Sequence, residues 1–175
     1  MNDQKINRSI CLFILTLISF KLADASDGTF KAENLLSIPG CEFDILFPGE
    51  PNLSNIYLPE SNVETLKAEY GGKNYYLRAE CYRLLARDNK SIRAMMFSFG
   101  EGQGLSSMQI EESNDKNEKW MLLRGNKKLG DAHATYEIKG CIGTNTILFL
   151  YTGTYSNIYP TDEIVNFLRY GARRR

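Results

Sequence analysis

Apolar positions along this chain recur with two spacings, two residues and about 3.6, and the switches between them set the predicted elements. From Cys41 to Phe47, the residues Cys41, Phe43, Ile45 and Phe47 share one strand face, and Glu42 and Asp44 share the other. Pro48-Gly49-Glu50-Pro51 stops that strand, because its two prolines remove backbone donors. Val63 to Tyr70 and Lys73 to Leu84 flank Gly71-Gly72, whose freedom at positive φ suits a hairpin connection. Within the second of these strands Tyr75, Leu77, Ala79 and Cys81 alternate with Arg78 and Glu80.

The period then changes. Ile92, Met95, Met96 and Phe99 stand at i, i+3, i+4 and i+7, the apolar stripe of a helix that Asp88 or Asn89 can cap and Gly100 can end. Strands follow from Leu105 to Glu112 and from Lys119 to Arg124, with a turn from Ser113 to Asn117. Ala132 to Ile138 and Thr146 to Thr152 form a further hairpin pair. Ile164, Phe167 and Leu168 mark a last helix that starts near Thr161, after Pro160, and closes at Gly171. No stretch repeats at a fixed period and no Pro/Ser/Gly-rich linker divides these elements. The predicted fold is α+β: an antiparallel sheet with hairpins and two covering helices.

Ahead of this domain Lys5 and Arg8 precede an apolar run from Ile10 to Phe20, and Ala23-Asp24-Ala25 supplies a small-x-small cleavage pattern. The expectation is a signal peptide at 1–25 and a single domain at 26–175, beginning at Ser26. The uncharged run covers 11 residues, whereas a helix needs roughly 20 to cross the hydrocarbon core. Neither a membrane span after cleavage nor a lipid anchor is expected, since Ala25 is followed by serine and not cysteine. The expected location is the periplasm, or outside the cell, of a bacterium. There the glycosylation patterns Asn52-Leu53-Ser54 and Asn89-Lys90-Ser91 stay unmodified.

Export changes the meaning of the cysteines. The mature chain keeps Cys41, Cys81 and Cys141 in a compartment where thiols oxidise, so at most one intrachain bridge can form. Parity puts Cys41 and Cys81 on buried strand faces, which makes them the expected disulfide; two buried thiols that never meet is the competing reading. A closed loop of roughly 40 residues is worth about 3 to 4.7 kcal/mol on the chain-entropy model. Parity also groups Cys141 with Glu137 and Lys139, and so predicts that it faces outward.

Charge narrows the partners. The chain carries 21 basic and 21 acidic residues, and setting aside Lys5, Arg8 and Lys21 with Asp3 and Asp24 leaves 18 and 19. Such balance argues against a nucleic-acid binder. Arg173, Arg174 and Arg175 form the one dense basic run and read as a frayed, solvated tail.

Catalytic signatures are sparse. His133 is the sole histidine, and its candidate partner Cys141 lies eight residues along the same predicted strand, roughly 26 Å away at the usual rise. Gly100, Gly102 and Gly104 follow a helix, whereas phosphate cradles precede one. Glu111 and Glu112 are adjacent, so on a strand they face opposite sides and cannot act together as acid and base. Calcium-loop spacing is absent, and no metal or cofactor is expected. Tyr151, Tyr155 and Tyr159 recur every four residues through a Thr/Ser/Gly/Asn-rich stretch and are the candidate ligand contacts, for a protein, a peptide or a glycan. The competing reading has Tyr151 ending a strand while Tyr155 and Tyr159 pack the link to the last helix. Tyr70, Tyr75, Tyr76 and Tyr82, around the Gly71-Gly72 hairpin, admit the same two readings.

Gly40-Cys41-Glu42-Phe43-Asp44-Ile45-Leu46-Phe47-Pro48, the later Ala79-Glu80-Cys81, the mid-chain helix and the closing helix from Ile164 to Leu168 resemble small exported bacterial proteins of uncharacterised role. The order of elements is similar to that of the PsbP and Mog1 group. That resemblance implies an antiparallel sheet packed between helices and an accessory or binding role without catalysis. The inward cysteine pair is not part of the wider group's pattern. The function expected from sequence is therefore an exported, non-catalytic binding or accessory protein. A small hydrolase with scattered carboxylates or serines is the second reading, and a secreted effector or inhibitor the third.

Overall fold

Hairpin alternation builds one antiparallel sheet of seven strands, and the helical stripes supply a cover for each of its faces. The computed structural model describes residues 34–58, 63–84, 88–113 and 119–175. The predicted signal peptide at 1–25 lies outside these, as does Ser26. In chain order the elements are β1 Leu35–Ser37, β2 Phe43–Leu46, β3 Asn52–Leu58, β4 Val63–Gly71, β5 Tyr75–Arg83, α1 Asn89–Gly102, β6 Ser106–Glu112, β7 Lys119–Leu129, β8 Ala132–Ile142, β9 Thr146–Tyr155, α2 Asp162–Tyr170 and β10 Ala172–Arg174. The large sheet runs β3-β4-β5-β9-β8-β7-β6, and a small sheet runs β1-β2-β10. The expected α+β class with two covering helices is what the structure has.

Both helices start at their sequence signals, although α1 runs past the expected stop at Gly100 to Gly102. The Asp88 side chain accepts from the Ser91 amide at 2.8 Å and caps α1. Thr161 caps α2, whose first turn carries Asp162 and Glu163 against the positive end of the helix dipole. Helix α1 buries Ile92 and Met96 against Met121, Leu123, Ile138, Ile147 and Phe149 on one face of the sheet. On the other face α2 and the small sheet bury Phe43, Ile45, Phe47, Ile164 and Phe167 against Leu77, Ala79, Leu148 and Leu150. The Phe47 and Phe167 rings meet at 5.2 Å between centroids.

Layer packing and strand pairing each correct one expectation. Cys141 does share a face with Glu137 and Lys139, but α2 and the small sheet lie over that face, and the residue is only 7% exposed in the cluster that holds Cys41 and Cys81. Alternation reports which side chains share a face; it carries no information on whether the face is wet. The second correction concerns Arg173, Arg174 and Arg175. In place of a frayed tail, β10 pairs antiparallel with β2, matching Ala172 with Ile45 and Arg174 with Phe43. Arg175 donates to the Ile38 carbonyl at 3.2 Å and to that of Cys41, and pairs with Asp44 at 3.3 Å.

Strand β3 was not foreseen. Asn52, Leu53, Ser54 and Asn55 are all exposed, so this sheet-edge strand needs no apolar face of its own and takes its register from β4. Strands β7, β8 and β9 also extend beyond their predicted ends, because the register between them runs unbroken to the Leu129–Ala132 and Ile142–Ile147 pairs.

Two links fasten the small sheet to the large one. Cys41 and Cys81 form the expected disulfide, with Cα atoms 5.9 Å apart. Beside it, Glu42 Oε2 accepts from the amides of Asn145 at 2.9 Å and Thr146 at 3.1 Å, and from Thr146 Oγ1 at 3.1 Å. The Asn145 amide is the main reason that the Glu42 carboxyl titrates below its ordinary value.

Replacing Cys41 and Cys81 together by serine is expected to lower the unfolding free energy by about 2 to 4 kcal/mol, seen as a lower urea midpoint; an unmoved midpoint would show that the bond adds nothing. A carboxyl whose folded pKa is depressed stabilises the fold above its unfolded value and loses that contribution as pH falls through the folded one. The stability difference between wild type and Glu42→Gln should therefore be full at neutral pH and shrink once pH drops below the ordinary 4.5. Parallel curves across that acid range would contradict the assignment.

Candidate functional site

Covering both faces forces polar side chains on the central strands to find partners inside. On the α1 face Glu80 is 0% exposed. Arg78 Nε donates to its Oε1 at 2.8 Å, with Nη2 on the same oxygen, and the Tyr82 hydroxyl donates to Oε2 at 2.7 Å. The Arg78 guanidinium also stands 4.8 Å from the Tyr151 ring centre. Burial works against the Arg78 charge, but Glu80 outweighs it and holds the guanidinium protonated. Desolvation raises the Tyr151 hydroxyl well above its ordinary value, with the Glu80 charge adding to the effect. On the α2 face Glu137 accepts from Arg124 Nε at 2.9 Å and from the Tyr159 hydroxyl at 2.8 Å. These carboxylates are held by their partners and serve to satisfy the interior.

The open site lies at the end of the sandwich formed by the β4–β5 hairpin and the β7–β8 turn. A cavity of about 430 Å³ opens there between Tyr75, Tyr76, Tyr136, Tyr155, Leu129 and Asn74. Its floor depends on one glycine: a Cβ at Gly153 would come within 2.7 Å of Tyr136 Cε1, so only bare backbone lets that ring lie flat there. The Tyr76 hydroxyl is tied to Glu69 at 2.6 Å, and Tyr70 stacks on Tyr75 at 6.3 Å. Burial is the main reason that Tyr76 titrates above its ordinary value. Asn74 and Tyr155 also border a second cavity of about 540 Å³, lined by His133, Ser156, Asn157 and Ile158. The two cavities adjoin at these shared residues and together make a groove.

The structure does not bring the candidate contacts Tyr151, Tyr155 and Tyr159 onto one surface. Tyr151 is 5% exposed beneath Phe99 of α1, whereas Tyr159 packs on the opposite face beside Glu137 and Arg124. Tyr155 alone stands at the groove, 49% exposed. The four-residue spacing fails as a guide because Tyr155 ends β9, the central strand, and the chain beyond it leaves the sheet for α2 on the other face. Residue order leaves Tyr75 and Tyr76 with two readings and does not single out Tyr136 or Leu129. Their signal was present in the turn glycines of both hairpins, which place those residues at one end of the sheet.

Other chemical candidates are structural or stand apart. His133 is exposed at the start of β8, far along the strand from Cys141. Glu112 pairs with Arg93, and Glu111 lies 3.8 Å from Arg124. Gly104, at φ 72°, turns the chain from α1 into β6. A third cavity, of about 560 Å³, opens beside the disulfide between Pro39, Thr65, Arg83 and Thr146, and has no comparable aromatic wall. Among the described residues no cluster of His, Cys, Asp or Glu could hold a metal ion, and no helix is long and apolar enough to cross a membrane.

No protein-family model matches the sequence, and no curated protein matches it.

Breaking the Arg78–Glu80 pair from one side strands a buried charge, so Glu80→Gln is expected to cost about 3 kcal/mol in urea unfolding. The apolar double variant Arg78→Met with Glu80→Leu should cost less than the single change. The reverse order would mean that the pair is not the buried contact described.

Proposed function

We propose that this chain is an exported binding or accessory protein that engages its partner through the tyrosine-lined groove. The observation that carries the reading is the placement of exposed apolar surface. Among the described residues six large apolar side chains are notably exposed, and three of them, Leu129, Tyr155 and Ile158, border the groove. Contiguous apolar surface of this kind on a folded domain marks a place where something binds. Tyrosine suits the task, since its rigid ring offers large contact area at low entropic cost.

Further support comes from chemistry and compartment. The buried carboxylates Glu80 and Glu137 are already held by arginine and tyrosine, which favours binding over hydrolysis. The Cys41–Cys81 disulfide suits an oxidising compartment and so agrees with the leader read at 1–25. A sheet packed between two helices suits the resemblance to the PsbP and Mog1 group, and the accessory role is carried over from that resemblance.

Site-specific photocrosslinking tests this in bacteria that export the full chain. With a benzoyl-phenylalanine at position 129, 155 or 158, the periplasmic form, starting at Ser26, should yield discrete adducts; the same group at the exposed Leu53, on edge strand β3, should yield none. Equal adducts at position 53, or none at the three groove positions, would refute the groove as the binding surface. Failure to recover a processed form would refute export.

A further inference from the structure

We infer that the groove selects an extended peptide segment in which acidic residues flank an apolar or aromatic side chain. This rests on the groove being the binding surface and adds the class of its occupant. The chain holds equal numbers of acidic and basic residues, yet no Asp or Glu is among the described residues lining either half of the groove. Lys73 lines the first half and His133 the second. Lys128 stands directly across from His133 in the β7–β8 register but does not line the groove.

The acidic groups nearby do not offset that bias. Glu69 is occupied by the Tyr76 hydroxyl at 2.6 Å and by Lys67 at 3.0 Å. Glu163, in the first turn of α2, acts on the Tyr75 hydroxyl through its charge but does not line the groove. Asp131, in the β7–β8 turn, is not part of the lining either. With Lys73 as the charged residue among those lining the groove, and no carboxylate beside it in the lining, an anionic partner is favoured over a basic one.

The walls decide between peptide and sugar. Leu129 is 39% and Ile158 37% exposed, and such aliphatic surface is covered better by a Leu or Phe side chain than by hydroxyl-rich sugar. Two cavities joined at Asn74 and Tyr155 give room for several residues in a row. Asn74 and Asn157 supply amides that can pair with a peptide backbone.

A phage library of random dodecapeptides, panned on the exported chain, tests this directly. Enriched sequences should carry Asp or Glu beside Phe, Leu or Trp. A synthetic representative should bind at least about tenfold more weakly to both K73E and L129S, each shown folded by circular dichroism, and should weaken as salt rises. Enrichment of neutral or basic peptides, or binding indifferent to K73E, overturns the acidic class while sensitivity to L129S leaves the groove reading standing. Peptides indifferent to both variants overturn both. If no peptide is enriched and chitohexaose shifts the amide signals of Tyr136 and Tyr155, the occupant is a sugar and this inference fails with the groove reading intact.

Discussion

Strand β9 is buried from Thr146 to Thr154, on both faces at once, and that dryness governs what the neighbouring strands can carry. Helix α1 covers one side, and α2 with the small sheet covers the other. A polar side chain on β5 or β8 that points into either layer must therefore be paired within the protein or incur a desolvation penalty of several kcal/mol. Arg78, Glu80 and Tyr82 meet this demand beneath α1, and Glu137 meets it with Arg124 and Tyr159 on the far side. Buried threonines do so by bonding backbone carbonyls, Thr65 to Cys81 and Thr154 to Asn74.

The same sandwich is closed at one end and open at the other. At the end where β5 finishes and β9 begins, the Cys41–Cys81 disulfide and the Glu42 carboxylate fasten the small sheet to the large one, and the Arg175 guanidinium ties the β1–β2 connection to β2. The disulfide joins positions 40 residues apart, and the Glu42 contact to Asn145 joins positions 103 apart. At the opposite end β5 begins and β9 finishes, and there the hairpin turns leave aromatic and aliphatic side chains without a cover. Anchoring at one end and exposed apolar surface at the other set the groove on a firmly held frame, which is what the proposed binding role uses.

Much of the frame is legible from residue order. The stripe from Ile92 to Phe99, the caps at Asp88 and Thr161 and the stop at Gly171 locate both helices, because each signal acts within a turn or two of backbone. Parity along Cys41–Phe47 and Tyr75–Cys81 brings two sulfurs to one side, and the bond between them follows. Strands β3 and β10 escape such reading. Asn52-Leu53-Ser54-Asn55 and Ala172-Arg173-Arg174 lack an apolar alternation, and they are strands because β4 and β2 offer them hydrogen-bonding edges. The groove is less legible: Tyr75, Leu129, Tyr136 and Tyr155 come from four strands, β5, β7, β8 and β9, brought together at one end of the sheet.

The sequence by itself determined the helices, most hairpins, the disulfide partners and the side of each strand on which a residue stands. All of these follow from local backbone geometry, in which period and turn chemistry act over a few residues. Tertiary structure alone decided which faces are dry, and so why Cys141 and Glu80 are buried, why Arg173 and Arg174 form part of a sheet, and where apolar surface remains exposed. Coverage depends on how layers pack, and no local period records what lies on top of a strand.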